Sequence, residues 1–231
     1  MRGGSKQVDF DDYSDGYDGF LKRSLGVFGR DLDFFVRRKV EIVKSQINKE
    51  PSRILEYGCG TGRNLASLTK AFPSADIVGY DVSKASMAAA KEKHPDLEFC
   101  FDRKDLSNHK PFDLIFVAGV IHHVNPDQYD EVFHDLYSLL TLDGNLFIFE
   151  HNPFNPVTRR IVSNCEFDVD AILISQNSLR SMAVQHNLKA VDSGYFLFLP
   201  WAFFSRVESV LSRIALGGQY WTQFMKRCER E

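Results

Sequence analysis

ILEYGCGTGRN, residues 54–64, decides how the chain is read. An apolar run carries an acid at Glu56, and glycines follow at alternate positions 58, 60 and 62. A glycine-rich turn between a strand and a helix lets the backbone approach a ligand closely and points N–H groups at it. Dinucleotide sites use G-x-G-x-x-G and set a pyrophosphate over the helix N-terminus. Here Arg63 and Asn64 stand where the third glycine of that pattern would be wanted, and no G-K-[ST] phosphate loop is present. An anion at Glu56, on the last turn of the strand, repels a pyrophosphate and suits a cationic or zwitterionic ligand.

On both sides of the loop, short apolar runs alternate with amphipathic segments. The runs are 53–57, 75–80, 97–101, 112–118 and 145–150, with helices expected near 62–71, 84–93 and 126–140. Ser83 is placed to cap the second of these helices and Pro95 to close it. Upstream, Leu32, Phe35, Val36, Val40, Val43 and Ile47 recur at three- and four-residue spacing and predict a helix over about 31–47. After Glu150, HNPFNPVTRR reads as a loop, followed by a helix near 178–186 and a strand near 189–198. PWAFFSRVESVLSRIA then reads as an aromatic amphipathic helix, LGG as a turn and QYWTQFMKR as a final strand. The expectation is an α/β Rossmann-like three-layer sandwich in one domain. Its sheet has seven mostly parallel strands, with the last strand antiparallel and helices on both faces.

The net charge of −3 over 231 residues gives no broad nucleic-acid footprint. The four cysteines show no CxxC spacing, so free buried thiols in a reducing compartment are expected. The first 20 residues lack the apolar segment of a signal peptide, and no run approaches the roughly 18 apolar residues of a membrane span. These features point to the cytoplasm. No metal is expected: H-E-x-x-H and Cys/His ligand spacings are missing, and adjacent His122 and His123 should point to different sides of a helix. There is no G-x-S-x-G nucleophile elbow either.

Asp81 ends the second strand in IVGYDVS, where a carboxylate can accept both hydroxyls of a ribose. Asp102 ends the third strand and could accept from an adenine amino group, with Asp105 its near competitor. Together with Glu56 these acids suit a nucleoside bearing ribose, adenine and an amino-acid tail. With LEYGCGTGRN, GYDVS, FCFDRKD, FDLIFVAGVIHHV and LLTLDGNLFIFEHNP in this order, the chain resembles the class I S-adenosylmethionine-dependent methyltransferases of the ubiquinone-biosynthesis-like, small-molecule type. The resemblance runs motif by motif over roughly residues 9–160. It implies that Gly58, Gly60 and Gly62 line the methionine moiety, with Glu56 near its amino group. Asp81 would then hold the ribose with Val82 beside it, Asp102 the adenine, and Val117 and Ala118 would flank the sulfonium. Tyr13 and Tyr17 match an aromatic lid, so residues 1–50 are expected as a helical lid. Residues 51–150 would be the cofactor core, and 151–231 the acceptor side.

Methyl transfer is an in-line displacement from a good leaving group, so the enzyme's main task is alignment. A general base is needed only where the acceptor must lose a proton. At the strand ends, where ligands sit in open parallel sheets, His151 and His122 are the candidates for base or substrate contact. Arg159 and Arg160 could meet an acidic acceptor, or be solvated surface. The stretch 195–204 could form an apolar entrance for a lipid-like acceptor, or contact a membrane surface, but core packing is favoured. A small-molecule acceptor is expected; oligomeric state is not legible. The competing readings are an NAD(P)-dependent Rossmann oxidoreductase and a cofactor-binding relative without turnover.

Overall fold

The computed structural model describes residues 32–165, 168–197 and 212–227. Seven strands form one sheet in the order β3-β2-β1-β4-β5-β7-β6. They are β1 Arg53–Tyr57, β2 Asp76–Tyr80, β3 Glu98–Cys100, β4 Phe112–Ala118, β5 Leu140–His151, β6 Leu188–Phe196 and β7 Gln219–Lys226. The first five pair in parallel, while β7 lies antiparallel between β5 and β6. The described helices are α1 Leu32–Gln46, α2 Leu65–Ala71, α3 Lys84–Lys93, α4 Arg103–Ser107, α5 Tyr129–Leu139, α6 Pro156–Ser163 and α7 Gln176–Gln185. The expected architecture is therefore the observed one.

Strand alternation divides the core between the two faces. Ile54, Leu114, Phe116, Phe147 and Phe149 pack with Val40 and Val43 of α1, Leu65 and Leu68 of α2 and Met87 of α3. Leu55, Ile115, Val117, Leu146 and Ile148 pack on the other side with Phe133 and Leu136 of α5 and Leu179 and Ala183 of α7. Covering both faces explains why these strands read as continuous apolar runs. Each such side chain contributes roughly 1.5–3 kcal/mol by burial.

Three segments depart from the expected pattern. HNPFNPVTRR is not all loop, because α6 begins at Pro156. The Asn155 side chain caps it by accepting from Thr158 N at 2.9 Å. Proline suits the first helical position, where its missing N–H would have had no partner. The 126–140 helix divides into a 3₁₀ turn over Pro126–Gln128 and α5. Strand five starts at Leu140, and a register shift between Phe112 and Leu114 absorbs the added length. Ser83 caps α3 as expected, accepting from Ser86 N. Most of the aromatic helix expected after Pro200, and residues 198–204 of the apolar stretch, lie outside the described residues.

Candidate active site

Parallel register sets the floor of the site. Tyr57 stands level with Tyr80 of β2 and Val117 of β4, so Gly58 and Asp81 leave the sheet in the next row, beside Ala118 at the end of β4. The loop is pinned there by Gly58 N and Cys59 N, which both donate to Tyr80 O at 2.7 and 2.9 Å. Gly58, Gly60 and Gly62 have φ of +78°, +52° and +78°, the left-handed region that favours glycine. A Cβ on Gly58 would stand 2.3 Å from Val120 Cγ2, and one on Gly62 2.9 Å from His94 Cδ2. A Cβ on Gly60 would meet nothing within 4 Å. Packing closes the loop at its two ends and leaves the middle glycine facing open space. Asp81 accepts from Gly60 N at 2.7 Å through Oδ2 and from Ser83 N at 2.9 Å through Oδ1, tying the loop to the start of α3.

Glu56 lies beneath the loop with 1% of its surface exposed. Its Oε1 accepts from Asn64 Nδ2 at 2.6 Å, while its buried Oε2 has no hydrogen-bond partner. Burial pushes its carboxyl up to about 8, against the opposing pull of Asn64 and Lys39. Lys39 of α1 is half-buried and held down to about 8 by burial, with Glu150, Arg63 and Glu56 acting on it. A buried carboxyl with an unmatched oxygen is chemically suited to a cationic ligand group. Neither Asn64 as Glu56's partner nor Lys39 was foreseen; an acid eight residues before an amide was the available signal for Asn64.

The other expected cofactor contacts fall less evenly. Tyr80 pairs with Cys100, so Asp81 and Asp102 leave the same sheet edge. Asp102 and Asp105 are both exposed, and Asp102 caps α4 by accepting from Asp105 N at 2.7 Å. Val82 is 76% exposed. Val117 is fully buried in the core, so only its backbone can serve a ligand. The half-buried Ala118 and Gly119 follow it at the strand end. Tyr13 and Tyr17 lie outside the described residues.

The histidine candidates converge through a residue that sequence reasoning had not paired with them. Glu150, at the end of β5, accepts from Val120 N at 3.1 Å, Ile121 N at 2.7 Å and His122 Nδ1 at 2.5 Å. His122 Nε2 stands 3.7 Å from Asp168 Oδ1, and His123 Nε2 stands 3.4 Å from the same oxygen. The expectation that His122 and His123 diverge is corrected. They share a 3₁₀ turn, Ile121–His123, with ring centroids 4.0 Å apart. Ile172 N donates to His122 O at 2.8 Å and draws the Asp168 segment over this turn. The ring of His151 meets that of His122 edge-on at 5.0 Å. Burial works against charge on His122, but Glu150 and Asp168 outweigh it and hold the ring protonated. Burial, then the neighbouring His122, holds His151 down to about 4, so it is a neutral imidazole. Asp168 went unnoticed because nothing in an aperiodic stretch announces contact with residue 122.

The two Asn-Pro pairs have a structural use. Asn152, fully buried, donates from Nδ2 to Ala215 O at 3.0 Å and Gly217 O at 2.8 Å. Asn155 Nδ2 donates to Leu216 O, and Thr158 Oγ1 to Gly218 O. Residues 152–158 thus clamp the turn before β7, and their amides are engaged with protein rather than turned to an acceptor. Arg159 and Arg160 are exposed. Cys59, Cys100 and Cys165 are buried free thiols. Among the described residues no helix is long and apolar enough to cross a membrane.

Residues 55–146 match a family of methyltransferase domains. Malonyl-[acyl-carrier protein] O-methyltransferase 1 of Ilyobacter polytropus is 36% identical over 105 residues, 43% of this chain and 38% of that protein. Trans-aconitate 2-methyltransferase of Escherichia coli is 34% identical over 115 residues, 48% of this chain and 44% of its own length. The chain thus spans less than half the length of these two curated relatives. Among solved structures, a TehB-like SAM-dependent methyltransferase from Corynebacterium glutamicum superposes with a TM-score of 0.62 at 20% identity, covering 94% of this chain and 99% of its own.

Proposed function

We propose that this chain, whose residues 55–146 match a family of methyltransferase domains, is of the class I type and moves a methyl group from S-adenosylmethionine to a small-molecule acceptor. The carrying observation is the buried Oε2 of Glu56, without a partner beneath a glycine loop that is open only at Gly60. S-adenosylmethionine supplies an electrophilic methyl on a sulfonium, together with an ammonium, a ribose and an adenine. Glu56 would accept from the ammonium, and Gly60 gives the tail room. Asp81 would take the ribose hydroxyls, beside Val82. Asp102 is assigned to the adenine. The backbone of Val117 and Ala118 is assigned to the sulfonium end, and Tyr17 of the 1–50 segment to the lid.

On the acceptor side, residues 151–231, the neutral ring of His151 offers a lone pair to take a proton from an acceptor O–H or N–H. His122, fixed by Glu150, would orient the acceptor rather than remove its proton. Alignment supplies most of the rate, since held reactants react as if at very high local concentration. Malonyl-[acyl-carrier protein] and trans-aconitate, named for two relatives, head the acceptor panel. The three buried free thiols support a reducing, cytoplasmic location.

The test is calorimetry and thermal shift with S-adenosylmethionine, S-adenosylhomocysteine and NAD(H), on wild type and Asp81→Ala, followed by S-adenosylhomocysteine release across the panel. Wild type should bind the two adenosyl ligands and Asp81→Ala should lose them. Binding of NAD(H) alone, or of nothing, refutes the proposal.

A further inference from the structure

The grouping of His122, His123 and Asp168 exceeds what a proton-transfer site needs. Each offers one ligand atom, and the three atoms lie within 4.8 Å of one another. Asp168 Oδ1 is 3.7 Å from His122 Nε2 and 3.4 Å from His123 Nε2. Ligand atoms bonded at about 2.0–2.1 Å to one tetrahedral zinc stand roughly 3.3–3.4 Å apart, so the spacing to the shared carboxylate already suits a common centre. The outer partner is also in place. Glu150 accepts from His122 Nδ1 and is itself held by two backbone N–H groups. That contact occupies Nδ1 and turns Nε2 toward Asp168, so that an Nε2 relieved of its proton presents a lone pair there, the carboxylate–histidine–metal arrangement.

We infer that His122, His123 and Asp168 form a site for one divalent first-row transition cation of the zinc type, with Glu150 as the outer carboxylate that orients His122. Charge favours this occupant. Two carboxylates, Asp168 and Glu150, converge on the two imidazoles in a buried place, and a dication that takes the place of the proton on His122 brings the group to neutrality. Two nitrogen donors with one oxygen select zinc, cobalt or nickel over magnesium or calcium, which take oxygen sets. Three protein ligands leave a coordination position for an oxygen from solvent or acceptor. The inference stands independently of the methyl-donor assignment, which rests on Glu56 and Asp81.

The experiment uses the full chain without a histidine tag, stripped by chelator and dialysed. Cobalt(II) is titrated by its visible absorption, then displaced with zinc(II) and followed by calorimetry. One equivalent should bind with Kd below about 10 µM, with the intense absorption of a low-coordinate cobalt centre. Asp168→Asn and His123→Gln should each weaken binding at least about tenfold. His134→Gln, on an exposed histidine of α5, should leave binding unchanged. Circular dichroism and S-adenosylmethionine binding are recorded alongside. Wild type that binds the adenosyl ligand but neither cobalt nor zinc overturns the metal site alone. Unchanged metal affinity in two folded variants overturns it as well. The wild-type titration decides the matter even where a variant fails to fold.

Discussion

Glu56→Gln should make the ligand-free protein more stable and the methyl donor's grip weaker. An unfolded glutamate ionises near 4.5, whereas the buried one holds its proton to about 8. Between those values the folded chain keeps a proton that the unfolded chain releases. Stability therefore falls as pH rises, by about 1.4 kcal/mol per pH unit, and levels off above 8. By pH 7 the loss is roughly 3 kcal/mol, from about 2.5 units at about 1.4 kcal/mol each. Glutamine keeps an oxygen for Asn64 Nδ2 and has no proton to lose. The variant should thus gain roughly 3 kcal/mol at pH 7, about 6–12 °C in Tm for a chain of this size. At pH 5 it should gain little. Without its anion the site should bind S-adenosylmethionine about 10- to 150-fold more weakly, the worth of a charged hydrogen bond at roughly 1.5–3 kcal/mol. Paired urea unfolding curves from pH 5 to 9 read the stability difference. Calorimetry at pH 7 in two buffers of different ionisation heat reads the proton that wild type should release on binding and the variant should not. Parallel pH–stability curves for the two proteins, or no proton release from wild type, would refute the reasoning.

The glycine loop separates packing from ligand space. Gly60→Ala should cost only about 1–2 kcal/mol for its positive φ yet abolish the calorimetric signal of S-adenosylmethionine. Gly58→Ala adds a clash with Val120 and should cost roughly 1–3 kcal/mol more in urea unfolding. Asn152→Ala should lose about 2–4 kcal/mol, because two carbonyls of the 215–217 turn are left unpaired, while donor affinity measured well below Tm stays unchanged. His151→Gln should lower turnover of an acidic-proton acceptor by about 10²–10⁴-fold without moving donor affinity; equal turnover in the variant would remove His151 as the base.

Much of this was legible from residues 54–64 and the alternation around them. Repeating apolar runs report burial, and glycines beside an acid report a backbone turn with a charge preference; both are local signals. What escaped depended on contacts remote in sequence. The Glu150–His122 pair spans 28 residues, and Asp168 arrives from a segment with no period at all. The supposed divergence of His122 and His123 assumed α-helical rotation, which a single 3₁₀ turn does not follow. Asn155-Pro156 was read as a breaker when the same two residue types also serve as cap and first helical residue. Val117 was placed by its position in a motif, although strand alternation turns its side chain into the core.

The order of the sheet also fixes an order of assembly. β7 is later in the chain than both strands it joins, so β6 has no edge to pair with until residues 219–226 have been made. Strands β1 to β5 with their helices need nothing beyond residue 151 for their own pairing. On a ribosome the glycine loop, Asp81 and the end of β4 can come together first, before residues 219–226 have emerged. The turn held by Asn152 and the seating of β6 follow in a second stage, when the last strand slots into the sheet. The part of the chain to which the donor is assigned is thus built before the part to which the acceptor is assigned. A donor bound as proposed would hold the growing chain in its folded form while the remainder is still being translated.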